Sequence, residues 1–147
     1  MPDSATALRV AALRLLTRRD HSRAELRAKL AAAAESAEQL EAVLDVLQAQ
    51  RLLSDRRYAT QRVTARASRY GDARLRQELR QHGVSDEDIS AALPEGGDEV
   101  ARCRAVWARK FPQPSQSREE QARQMRFLQY RGFSSDVIRR VLRGVDE

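Results

Sequence analysis

One internal offset restricts what this chain can fold into more than any other feature. Shifting the sequence by 49 residues, without gaps, superposes Leu30, Leu79 and Leu128; Ser36, Ser85 and Ser134; Leu40, Ile89 and Ile138; and Leu44, Leu93 and Leu142. Each set carries the same local signal. An apolar residue closes one helix, a hydroxyl stands ready to accept from the free amides of the next, and two core residues follow four apart. Units this small cannot bury their own apolar faces, so copies stack. Gly83-Val84-Ser85 and Gly132-Phe133-Ser134 extend the match between the second and third copies, glycine being free to take the left-handed backbone that ends a helix. The first helices of the three copies share no apolar register.

Local signals fill in the units. Leu8, Ala12, Leu15 and Leu16 recur at helical spacing until the polar Arg18-Arg19-Asp20-His21. Ser22 with Glu25 reads as a capping box opening a helix that buries Leu26 and Leu30. Ser36 with Gln39 repeats that signature before the stripe Leu40, Val43, Leu44 and Leu47. Breaks at 50–54 and at Pro94-Glu95-Gly96-Gly97 carry capping residues Asp55 and Asp98. Pro112-Gln113-Pro114-Ser115 stops a seventh helix, and Ser117 with Glu120 caps an eighth. β-Branched runs and Asn-Gly hairpin signals are missing. The expected fold class is all-α. Three tandem three-helix repeats, about nine helices in all, occupy residues 1–50, 51–94 and 95–147 in an elongated, curved arrangement.

Charge is concentrated rather than spread. Residues 1–50 hold seven basic and seven acidic groups and residues 83–147 eleven of each, whereas residues 51–82 hold nine basic against three acidic. The whole net +6 therefore lies in the central unit. All but two of the 27 basic residues are arginine, whose fork suits phosphate or carboxylate, although codon bias in a GC-rich genome also favours arginine. Codon bias acting on the whole chain does not explain the local excess.

Within that unit, Tyr58, Arg62, Arg66 and Arg69 are spaced four, four and three apart on a helix starting at Asp55, which puts three guanidinium groups on one face. After Gly71, Arg74, Arg76 and Arg80 surround Leu75 and Leu79, with Arg74 able to turn toward the preceding helix, making a basic V-shaped surface. A solvated face partly neutralised by Asp72 and Glu78 is the plainer alternative. Most of the aromatic residues are expected in the core, with Tyr70 a candidate for base stacking. Reading of a major groove by the helix–turn–helix corners is disfavoured, because Ser85-Asp86-Glu87-Asp88 and Ser134-Ser135-Asp136 would repel phosphate.

Enzymatic chemistry finds little support. His21 and His82 lie in polar segments at helix ends, no phosphate loop, His-Glu-x-x-His pair or nucleophile elbow occurs, and Cys103 stands alone at a core spacing. The expectation is a non-enzyme with no catalytic residue, metal or cofactor. The amino terminus lacks the order of a secretory signal and no run is long enough to cross a membrane, so a cytoplasmic location is expected.

Leu53-Ser54-Asp55-Arg56-Arg57-Tyr58-Ala59, then Arg66 and Arg69, then Gly71-Asp72-Ala73-Arg74-Leu75-Arg76-Gln77-Glu78-Leu79, resemble the central signature of the RecX family. Ala11-Ala12-Leu13-Arg14-Leu15-Leu16 with Ser22-Arg23-Ala24-Glu25-Leu26, and Tyr130-Arg131-Gly132-Phe133-Ser134-Ser135-Asp136-Val137-Ile138, are similar to its flanking modules. Leu53 stands where an aromatic often opens the signature and Ser54 where an acidic residue is usual; these are core and cap variations. The resemblance implies a regulator of RecA that lies in the groove of the RecA–single-stranded-DNA filament and limits ATP hydrolysis, strand exchange and co-protease activity. Arg57, Arg62, Arg66, Arg69, Arg74 and Arg76 are the candidate contacts to RecA or DNA. The expected partners are the RecA filament and single-stranded DNA, with double-stranded DNA a further candidate, and the expected state is a monomer. A general nucleic-acid-binding module acting without RecA is the alternative, and a purely structural adaptor a third class.

Overall fold

The computed structural model describes residues 3–144, and among these it forms nine α-helices and no strand. The first unit contains α1 (Ser4–Arg18), α2 (Arg23–Leu30) and α3 (Ala37–Ala49); the second α4 (Asp55–Arg66), α5 (Asp72–Gln81) and α6 (Asp86–Ala92); the third α7 (Glu99–Lys110), α8 (Arg118–Tyr130) and α9 (Ser135–Arg143). The repeat is physical. Ser36, Ser85 and Ser134 each cap the last helix of their unit by accepting from the amide three residues on, at 3.0, 3.2 and 3.2 Å. Leu30, Leu79 and Leu128 are buried behind those caps, as are Leu40, Ile89 and Ile138. Gly83 and Gly132 take positive φ at the corners before α6 and α9.

Against the expectation that units this small cannot bury their own apolar faces, each unit closes its own apolar core. Leu8, Leu26, Leu44 and Leu47 are among the residues filling the first, Tyr58, Val63, Leu75 and Ile89 the second, and Cys103, Leu128, Phe133 and Ile138 the third. Leu53, which opens the central signature, packs into the first core. Three small cores in a row make an elongated molecule. Its accessible surface of 9170 Å² is about a fifth larger than the ~7,600 Å² of a compact monomer of the same mass.

Besides Leu53, polar groups join the units. At the first joint Arg57 of α4 donates to Asp20 at 2.9 Å, and Asp55 accepts from the Arg23 amide at the start of α2 at 2.7 Å. At the second joint Glu99 of α7 accepts from the Asp72 amide at the start of α5 at 2.9 Å, the same device one unit later. Two backbone bonds are added there, from Gly71 to the Arg131 carbonyl at 2.8 Å and from Ala73 to the Gly132 carbonyl at 3.2 Å.

Several local expectations are corrected. Ser54, not Asp55, caps α4, accepting from the Arg57 amide and leaving Asp55 free to reach α2. α4 ends at Arg66, so Arg69 lies in the following turn and off the helical face. Residues Leu93–Gly96 coil into a 3-10 turn where a plain break was expected, and Ala31–Ala33 form another. The Ser36 and Ser117 caps form, but Gln39 and Glu120 accept from the amides of Glu35 and Gln116, one residue before the capping serine. His21, at its helix end, is buried; burial lowers its pKa, and the neutral ring donates from Nδ1 to the Arg19 carbonyl while Nε2 accepts from Lys29 at 3.0 Å. Cys103 is buried as expected, its thiol pushed up to about 12 by desolvation.

Candidate anion-binding surface

The basic residues of the central unit divide by what their guanidinium groups touch. Arg66, in the last turn of α4, donates from Nε and Nη2 to both oxygens of Glu78 on α5, each at 2.8 Å, and this hydrogen-bonded carboxylate raises its pKa. Arg74 approaches the same carboxylate at 3.8 Å. One acidic group thus serves two arginines, and α4 and α5 do meet as a basic V. The ring of Tyr70 fills the V, with the guanidinium carbons of Arg66 and Arg74 4.7 and 4.2 Å from its centroid and that of Arg131, from the third unit, at 5.5 Å. Desolvated cation–π contacts of this kind contribute about 0.5–2 kcal/mol each. Tyr70 is therefore covered by arginine side chains.

Arg62 lies one turn before Arg66 on α4, and it makes no hydrogen bond or ion pair among the described residues; the same holds for the side chains of Arg69 and Arg76. Arg76 follows Arg74 by two residues, about 200° around α5, and so faces away from the V. Arg57 belongs elsewhere. Its guanidinium is held by Asp20 and by the carbonyls of Arg51 and Leu52, at the joint with the first unit. Of the six candidate arginines, the structure brings Arg66 and Arg74 into one cluster, sets Arg62 beside it and Arg69 in the turn below it, and separates Arg57 and Arg76.

Two contributors escaped the reading of the sequence. Arg131 comes from the third unit, donates to the Arg69 carbonyl at 3.4 Å and joins the Tyr70 cluster. Arg102 is the fastening behind it. Its side chain, 9% exposed, donates to the carbonyls of Ala67, Tyr70 and Gly97 and to Asp72 at 3.0 Å. Nothing in local spacing signals either residue, because both act across a joint. The acidic starts of the corner helices stand as expected, Asp86, Glu87 and Asp88 occupying the first turn of α6. Among the described residues, no group of three His, Cys, Asp or Glu is placed to hold a metal, and no helix is long and apolar enough to cross a membrane.

The three units also match known sequence domains in order. Residues 9–47, 54–93 and 97–142 match the models of the first, second and third three-helix domains of RecX. The chain belongs to the RecX family. It is 46% identical to "Regulatory protein RecX" of Ralstonia nicotianae, covering 99% of this chain and 92% of that one. It is 48% identical to the protein of the same name from Leptothrix cholodnii over 95% and 90% of the two chains. Its fold is similar to that of a crystal structure of RecX from Lactobacillus salivarius, with a TM-score of 0.86, 22% identity and 99% of each chain covered. A second RecX crystal structure matches with a TM-score of 0.81 at 24% identity, over 95% of this chain and 73% of that one. RecX membership thus carries the regulatory class and the three-domain helical architecture to this chain.

Proposed function

We propose that this RecX-family protein acts without chemistry of its own, by binding the RecA–single-stranded-DNA filament along its groove and limiting ATP hydrolysis, strand exchange and co-protease activity. The observation that carries the reading is the shared carboxylate of the central unit. Arg66 and Arg74 divide Glu78, while Arg62, Arg69 and Arg76 have no acidic partner among the described residues. Such a surface is attractive to phosphates or acidic side chains repeated along a filament. An elongated chain of three units reaches neighbouring protomers at once, so binding favours the subunit arrangement that fits it. Arg62, Arg69, Arg66 and Arg74 supply the main anion contacts; Arg76 acts on a separate face, and Arg57 through the joint it holds.

The test is RecA's single-stranded-DNA-dependent ATP hydrolysis, titrated with this protein and with an Arg62→Glu, Arg69→Glu variant. Inhibition by the parent at less than one molecule per RecA, lost in a variant whose circular dichroism is unchanged, is the expected result. Equal inhibition by the two proteins would remove the arginines from the contact. The lack of acidic partners also favours a second reading, a nucleic-acid-binding module that acts without RecA. It requires binding of free DNA that falls steeply with salt, with no effect on RecA's hydrolysis.

A further inference from the structure

An aromatic ring is left in the open beside the cluster. Tyr130, the last residue of α8, is 76% exposed, although Tyr70 nearby is packed against the second core and covered by guanidinium groups. Its position is nonetheless held. Its own carbonyl accepts from Arg74 at 3.3 Å, the next two carbonyls accept from Gly71 and Ala73, and the Arg74 guanidinium carbon lies 5.6 Å from its ring centroid. Tyr130 and Arg74 line a groove between α5 and the corner before α9, and Gln77, Gln81 and Gln129 contribute to or border its walls. The three amides are exposed and donate or accept no side-chain hydrogen bond among the described residues.

From this arrangement we infer that the groove at the second joint is a nucleobase subsite, in which an unpaired base of single-stranded DNA stacks on Tyr130 and meets the Gln77, Gln81 and Gln129 amides with its edge. The inference deepens the proposed function and rests on it. The chemistry favours a base over other occupants. A stacking platform takes any base, since each has a π face. Primary amides offer a donor and an acceptor together, the pattern that base edges carry. Arg74 beside the ring suits the phosphate attached to the stacked nucleotide. A duplex hides these faces, so the subsite discriminates between single and double strands, which the arginines alone do not.

The experiment measures fluorescence anisotropy with labelled oligothymidylate, with an abasic strand of the same length and with a duplex, for the parent, Tyr130→Ala and Tyr130→Phe. The parent is expected to bind the base-bearing strand roughly tenfold more tightly than the abasic one. Tyr130→Ala should abolish that preference while binding the abasic strand and the duplex as the parent does, and Tyr130→Phe should keep it. An unchanged preference in Tyr130→Ala overturns the inference while the filament reading stands. If Tyr130→Ala weakens inhibition of RecA with base preference unaltered, Tyr130 meets a protein surface and the subsite is again overturned. Failure of the parent to bind any strand at low salt overturns both the subsite and the DNA contact in the proposed function.

Discussion

The two joints between units solve the same problem with different chemistry. Position 22 in the first unit and position 71 in the second are equivalent in the 49-residue repeat, and both precede the first turn of a unit's second helix. Ser22 caps α2 from within. Its hydroxyl accepts from the Glu25 amide at 3.1 Å and the Glu25 carboxylate accepts from the Ser22 amide at 3.0 Å, so only Asp55 is needed from the next unit. Gly71 has no side chain to offer, and α5 is capped from outside by Glu99 and by the Gly132 carbonyl. The first joint therefore joins a helix largely capped from within to its neighbour by the Arg57–Asp20 ion pair and one accepted amide, whereas the second is a helix whose end is completed by its neighbour. The arginine cluster and Tyr130 both sit at the second.

The largest expected effect comes from forcing the second joint to resemble the first. A side chain at position 71 would begin 2.4 Å from the Gly132 carbonyl oxygen and 2.6 Å from the Phe133 nitrogen, both backbone atoms that cannot yield. Gly71→Ser should therefore cost about 3 kcal/mol or more and open the joint. Urea unfolding measures the cost, and a variant as stable as the parent would show that the close approach does not hold the units together. Next comes Arg102→Met, which strips three carbonyls and Asp72 of a nearly buried donor and should cost about 2–3 kcal/mol. Arg57→Met at the first joint should cost less, about 1–2 kcal/mol, because that side chain is 41% exposed and water replaces part of what it held. Equal losses in the two variants would erase the distinction between the joints.

How far the sequence discloses this depends on distance along the chain. The units, their last helices and most of their caps are legible because they rest on residues three or four apart, such as Ser85 with the Asp88 amide. The charge imbalance is legible as a count over one segment, and the meeting of α4 with α5 because Arg66 and Glu78 stand only twelve residues apart, on either side of one turn. Joints are not. Asp55 has the composition and place of a cap, and only its 32-residue reach to Arg23 shows that it caps another unit's helix. Gly71 reads as a break, yet its smallness is required by Gly132, sixty-one residues on. Tyr130 reads as a core aromatic by spacing, but at the final turn of α8 it passes beyond the third core and faces solvent.

Acid separates the carboxylates of the joints from that of the internal cap, and gives the smallest prediction. Burial pushes Glu25 up, but hydrogen bonds from Arg19 and the Ser22 amide, with the charges of Arg19 and His82, bring it down to about 2 from 4.5. Its contribution to stability is therefore present above the ordinary carboxylate value and lost as pH falls toward 2. Asp55 and Glu99 run the other way. Desolvation raises both above 3.8 and 4.5, outweighing the amides that each accepts from, so the folded state takes up protons before the unfolded one does. Their contribution is greatest below the ordinary values and declines as pH rises through the raised ones. What each joint requires is an acceptor for one amide rather than a charge, and an amide side chain keeps the acceptor without the cost of burying an anion. An Asp55→Asn, Glu99→Gln variant should thus be within about 0.5 kcal/mol of the parent at neutral pH, with a flatter decline of stability as pH rises from mildly acidic values. Thermal unfolding followed across that range tests it, and a loss well above that figure at neutral pH would mean that the joints depend on the negative charges themselves.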